Sequence, residues 1–122
     1  MSGYSYPKQL RLLTARDYNR VFEHSQFKVS GPVGLFIATP NSLGYPRIGF
    51  IIAKKKVKLA VQRNRIKRVI KDSFRLNQQR LPGLDIVFIA RPGLSDKDNL
   101  AINKFTKYSW HKLNEQAKKA KQ

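Results

Sequence analysis

The chain has 122 residues, which suits one domain and hardly two, and 41% of them are apolar, enough to fill a modest core. Its 25 Lys and Arg against 7 Asp and Glu give a formal net charge of +18, whose self-repulsion points to a polyanionic partner, nucleic acid ahead of an anionic membrane. Cysteine is absent, which excludes a disulfide framework, a thiol nucleophile and a Cys-based zinc site. No run approaches the roughly 18 apolar residues of a spanning helix. Nor does the stretch from Met1 to Leu13 offer the apolar core of a signal peptide. The expected class is a soluble, cytoplasmic, nucleic-acid-binding domain spanning 1–122.

In chain order, residues 1–13 read as a basic, partly extended lead-in with Pro7, Lys8 and Arg11. Thr14 is an N-cap candidate for a helix over Ala15 to His24, with Asp17 in the capping-box position. Tyr18, Val21 and Phe22 fall at i, i+3 and i+4 and give this helix one aromatic-rich face, read either as core or as a ligand platform. Phe27 to Ser30 and Gly34 to Thr39 read as two strands around the Gly31-Pro32 turn signal. Pro40 to Pro46 is a loop and Arg47 to Ala53 a third strand.

Lys54 to Lys71 is the densest basic stretch: nine of its eighteen positions are Lys or Arg and none is acidic. A disordered tail would lack a pattern, yet Leu59, Ile66, Val69, Ile70 and Phe74 recur at helical spacing and form one apolar stripe. The spacing predicts a helix after a turn at Lys54 to Lys58, ending near Asn77 to Gln79 before Pro82-Gly83. Asn64, Arg68, Lys71 and Arg75 align along its outer ridge, with Lys67 beside them and Arg65 at the border. Arg63 leans to the apolar side, where it must snorkel or hydrogen-bond RNA or backbone carbonyls. Asp85 to Ala90 (DIVFIA) reads as a strand buried on both faces. Ser95, Asp96 or Asp98 can cap a last helix running through Ala117, with a frayed basic tail at 118–122. The fold class is α+β, a single-domain sandwich in the order helix, three strands, helix, strand, helix. The strands flanking the basic helix are expected to be parallel, with a right-handed crossover as the default.

Nothing in this pattern forms a catalytic constellation. His24 and His111 are isolated, and of the seven carboxylates only Asp96 and Asp98 lie close together in sequence, where helix-start roles explain them. No phosphate-binding glycine loop occurs. The polypeptide is expected to bind and position, without a catalytic residue or a metal site of its own.

The run Arg63-Asn64-Arg65-Ile66-Lys67-Arg68, preceded by Lys54-Lys55 and Ala60-Val61, resembles the signature of the bacterial ribonuclease P protein subunit. Arg11-Leu12 with Tyr18 and Val21-Phe22, the run from Pro46 to Phe50, and Asp85 to Arg91 extend the likeness over about residues 8–113. The resemblance implies a ribonucleoprotein whose RNA is catalytic, aided by Mg²⁺ held mainly by RNA, which removes the 5′ leader of precursor tRNA. It assigns Lys54, Lys55, Lys56, Arg63, Asn64, Arg65, Lys67, Arg68, Lys71 and Arg75 to the catalytic RNA. It assigns Arg11, Tyr18, Phe22, Phe36 and Lys54 to a cleft for the leader, between the sheet and the first helix. It also implies a ribosomal-protein-like fold with a left-handed crossover, replacing the right-handed default. A non-catalytic RNA-binding module, such as a ribosomal protein or RNA chaperone, is the alternative that composition and helix pattern leave open; a DNA-binding protein is a second.

Overall fold

The structure, a computed structural model, describes residues 11, 14–31 and 34–120. Expectations for the rest of the lead-in, for Pro32 and Val33 and for residues 121–122 lie outside the described residues. The elements are α1 (Ala15–His24), β1 (Phe27–Ser30), β2 (Gly34–Pro40), β3 (Arg47–Ile51), α2 (Ala60–Asn77), β4 (Leu84–Ala90) and α3 (Asn99–Ala120). Short 3₁₀ turns at Gln78–Arg80 and Leu94–Asp96 follow α2 and β4. The four strands form one sheet in the order β1-β2-β4-β3. β1–β2 and β2–β4 are antiparallel, whereas β3 and β4, joined through α2, are parallel as expected.

Alternation along the strands divides the side chains between two faces. One face carries the cross-strand row Val29, Phe36, Phe88 and Phe50 and packs against α2 and α3, through Ile66, Ile70 and Phe74 and through Ile102, Trp110 and Leu113. Phe36 sits among Phe88, Phe105 and Trp110 at centroid distances of 4.9–5.8 Å. The other face receives α1: Val21 is buried against Ile37 and Val87. Burial of β4 on both faces follows from this layering, since it is a central strand with helices above and below.

Local chemistry explains the ends of the elements. Thr14 Oγ1 accepts from the Asp17 N–H at 3.1 Å and Asp17 Oδ2 accepts from the Thr14 N–H at 3.4 Å, so the short Asp completes the capping box. Asp98 is the acid that starts α3, accepting from the Ala101 N–H at 2.8 Å. Leu59 departs from the predicted stripe: α2 begins one residue later, and Leu59 stands before it, 62% exposed. The tail also differs, because α3 stays helical through Ala120.

The outer strands expose unpaired backbone groups, and side chains cover some of them. The Gln116 amide accepts from the Lys28 N–H at 3.0 Å and donates to the Lys28 carbonyl at 2.9 Å, closing β1 against α3. On the other side, Arg11 forms a parallel bridge with Ile48 of β3.

Candidate nucleic-acid interface

Two surfaces carry the predicted site residues. The first is the ridge of α2, where Asn64, Lys67, Arg68, Lys71 and Arg75 line one open groove of about 320 Å³, as their spacing predicts. Asp72 is its one acidic wall and lies 3.5 Å from the Arg75 guanidinium. Lys71 stands 5.9 Å from the centroid of Phe50. Burial, with the charges of Arg11 and Lys67, holds its ammonium below the usual lysine value. Arg11 therefore adds its charge to the ridge from the β3 side. Lys54 and Lys55 are exposed and Lys56 half-buried in the turn that leads to α2.

Two of the signature arginines are spent within the fold. Arg63 donates to the carbonyls of Val57 at 3.0 Å and Lys58 at 2.8 Å, tying the lysine turn to the first turn of α2, as its inward lean suggested. Arg65 reaches Gln62 Oε1 at 2.8 Å, Asn99 Oδ1 at 2.6 Å and the Lys97 carbonyl at 3.0 Å. Its guanidinium thus bolts α2 to the start of α3, a connection across more than thirty residues that the sequence does not reveal.

The second surface is the side of the sheet that α1 only partly covers. Here Ser30, Leu35, Ile89 and Ile51 form a row across all four strands, and the three apolar members are half-exposed. Tyr18 on α1 packs with this strip against Val21, Ile37 and Val87, and Phe22, one helical turn further along α1, is 45% exposed. Lys54 follows three residues after Ile51, beyond this end of the sheet. Phe36 does not belong to the cleft: its side chain is on the opposite face, 0% exposed, because it lies one residue out of phase with Leu35 and Ile37. Leu35, Ile51 and Ile89, which make up this strip, are not singled out by the sequence reading. Their signal was available in the strand alternation once the pairing register is known.

A polar cluster fixes α1 above this face. Asp85, fully buried at the head of β4, accepts from Arg47 Nε at 2.8 Å and Arg47 Nη2 at 2.7 Å, from Asn41 Nδ2 at 2.9 Å, and from Arg20 on α1. Asp17 on α1 lies 3.6 Å from the same Arg47. Burial alone would raise the Asp85 pKa. Hydrogen bonds from Arg47 and Asn41, with the charges of Arg47 and Arg20, reverse that and hold it below the usual carboxylate value. Hydrogen bonding to Asp85 correspondingly raises Arg47. The carboxylates of Asp17 and Asp85 are far apart in sequence, yet the fold gathers them around one arginine.

Among the described residues no group of three or more His, Cys, Asp or Glu could hold a metal ion. No described helix is long and apolar enough to cross a membrane. A cation-lined helix ridge and a half-exposed apolar strip of sheet, on an α+β chain of net charge +18, have the surface chemistry that suits a polyanion.

The family model for Ribonuclease P matches residues 6–114. The "Ribonuclease P protein component" of Chromohalobacter salexigens is 46% identical over 98% of this chain and 93% of its own length. That of Idiomarina loihiensis is also 46% identical, covering 89% and 87% respectively. Among solved structures, the Staphylococcus aureus RNase P protein superposes with a TM-score of 0.76 at 26% identity, covering 82% of this chain and 91% of that one. The Thermotoga maritima protein gives 0.72 at 27% identity, covering 82% and 94%. The chain belongs to the ribonuclease P protein family, the protein component of an endoribonuclease of tRNA processing.

Proposed function

We propose that the α2 ridge docks this chain onto the catalytic RNA of ribonuclease P in the cytoplasm, while the cleft under α1 holds the single-stranded 5′ leader of precursor tRNA. In this reading the RNA contains the active site and holds the Mg²⁺, and the polypeptide positions substrate. The observation that carries it is the spatial division between the two surfaces. Lys67 and Arg68 face the ridge groove with no acidic partner among the described residues, so their charges remain for phosphates. The apolar row of Leu35, Ile89 and Ile51, with Tyr18 packed alongside and Phe22 exposed on α1, offers bases a surface that tolerates any sequence, as variable leaders require.

Chemistry within the chain is limited to orientation. Arg63 closes the lysine turn onto the start of α2, where Lys55 and Lys56 line a separate groove with Gln62, Ser95 and Asp96. The Asp85–Arg47–Arg20 cluster sets the height of α1 over the sheet and so the width of the cleft. The test is to measure affinity for catalytic RNA, for leader-bearing precursor and for mature tRNA, in Arg68→Ala and Phe22→Ala variants. Arg68→Ala should weaken catalytic-RNA binding, and Phe22→Ala should weaken precursor binding more than mature-tRNA binding. Equal effects of both variants on all three RNAs would refute the division.

A further inference from the structure

On the flank of α2 away from β3, its seam with α3 forms a continuous groove. Three cavities of about 420, 420 and 260 Å³ follow one another there, the first two sharing Leu76, Asn77 and Lys107, and the second and third sharing Arg80, Leu81 and Asn114. The walls are unusual for a protein-docking face. Five carboxamides line them, Asn77, Gln79, Asn99, Asn103 and Asn114, against a single carboxylate, Asp72, which is already near Arg75. Carboxamides present a donor and an acceptor together, the combination that reads base edges.

The charges complete the pattern. Arg80 and Lys107 line the central cavity, and their side chains have no ion pair or hydrogen-bond partner among the described residues. Asn103 and Asn114 also have no side-chain partner there. Leu76 at the edge is 56% exposed and Trp110 forms part of the floor. Asp72 lines both this seam and the ridge groove of α2, so the two surfaces adjoin.

We propose that the α2–α3 seam is a second nucleic-acid site, which takes a single-stranded RNA segment continuing from whatever RNA occupies the ridge. Phosphates lie against Arg80 and Lys107, bases turn their edges to Asn103 and Asn114, and Leu76 packs on a base face. The inference extends the RNA-docking reading above, but its binding site is separate. An acidic protein segment would be drawn by the same two cations, but the carboxamides and the short apolar edge suit it less.

Trp110 is the chain's one tryptophan, so its fluorescence reports on the seam. The experiment titrates an eight-residue oligouridylate into the full chain and into an Arg80→Glu/Lys107→Glu variant, with circular dichroism checking that both fold. The expected result is a saturable Trp110 change in the parent, weakened at least about tenfold in the variant. The slope of log affinity against log salt should fall by about 1.4, two single-strand phosphates' worth. An Asn103→Ala/Asn114→Ala variant, with no change in charge, should weaken binding while leaving that slope intact. A Trp110 response absent from the parent, or unaltered in both variants, would overturn the site. So would a response to octaglutamate but not to the RNA, which would make the seam a protein-docking face. Loss of catalytic-RNA binding in Arg68→Ala with no seam response contradicts only the seam. A seam response with catalytic-RNA binding unchanged in Arg68→Ala contradicts only the ridge reading.

Discussion

The hydroxyl of Tyr18 accepts a hydrogen bond from the backbone N–H of Phe50 at 3.1 Å. The aromatic ring thereby lies against Gly49, where an added Cβ would come within 2.6 Å of the ring carbon bearing the hydroxyl. One side chain of α1 is thus anchored to β3, and only glycine at position 49 leaves room for it. A phenylalanine at 18 would keep the ring but abandon that N–H.

Tyr18→Phe should therefore cost about 1 kcal/mol of stability, a typical net value for one hydrogen bond, and leave precursor-tRNA affinity nearly intact. Gly49→Ala should cost more and displace α1, weakening leader binding through the cleft's shape. Urea denaturation together with precursor affinity separates the two. A Gly49→Ala protein with parental stability and affinity would contradict the close packing.

The two phenylalanines that the family resemblance groups in the cleft should behave differently. Phe22→Ala should leave stability within about 1 kcal/mol and reduce precursor affinity by about 1–3 kcal/mol, the worth of one stacked base. Phe36→Ala empties a site enclosed by Phe88, Phe105 and Trp110 and should cost about 3–5 kcal/mol of stability. Chemical denaturation and binding, measured on both variants, check this; a stable Phe36→Ala protein with a leader-specific defect would reverse the placement.

The Asp85 cluster gives a pH dependence with a definite sign. Its folded pKa lies below the unfolded value, so its contribution is fully present above the ordinary carboxylate range. That contribution is lost as pH falls through the depressed folded value. Asp85→Asn, which leaves Arg47 and Arg20 without their carboxylate, should cost about 3 kcal/mol at neutral pH. Melting curves from pH 7 down to pH 3 should show the parent losing its advantage over the variant in the acid limb. Parallel curves at all pH values would exclude Asp85 as the group responsible.

On α2, Arg68→Ala should flatten the salt dependence of catalytic-RNA binding by about one phosphate, a slope change of roughly 0.7–0.9. Arg65→Ala should show first in stability, because its guanidinium joins Gln62 and Asn99. Sulfate should also raise the melting temperature by occupying the ridge, where burial and the charges of Arg11 and Lys67 already disfavour a charged Lys71. Absence of any sulfate shift would argue against an anion site there.

Much of this was legible from residues alone. Helical spacing gave the α2 ridge, Thr14 and Asp17 gave the start of α1, and the DIVFIA run gave the central strand β4. What stayed hidden depended on pairing between distant segments. β2 is buried on both faces, so alternation alone does not tell which face Phe36 takes; the register with Phe88 decides it. Asp85 looked like the edge of an apolar strand, although a carboxylate there needs buried partners, and those lie 38, 44 and 65 residues away. Leu59 fitted the helical period but precedes the helix, since periodicity does not mark where the first turn begins.

The central claim is that this chain serves a catalytic RNA. Its most direct test is reconstitution with bacterial ribonuclease P RNA at low magnesium, following cleavage of a leader-bearing precursor tRNA. The account predicts that adding the protein accelerates cleavage at the mature 5′ end, and that Arg68→Ala and Phe22→Ala each reduce the gain. Cleavage at the same rate with and without the protein would contradict it.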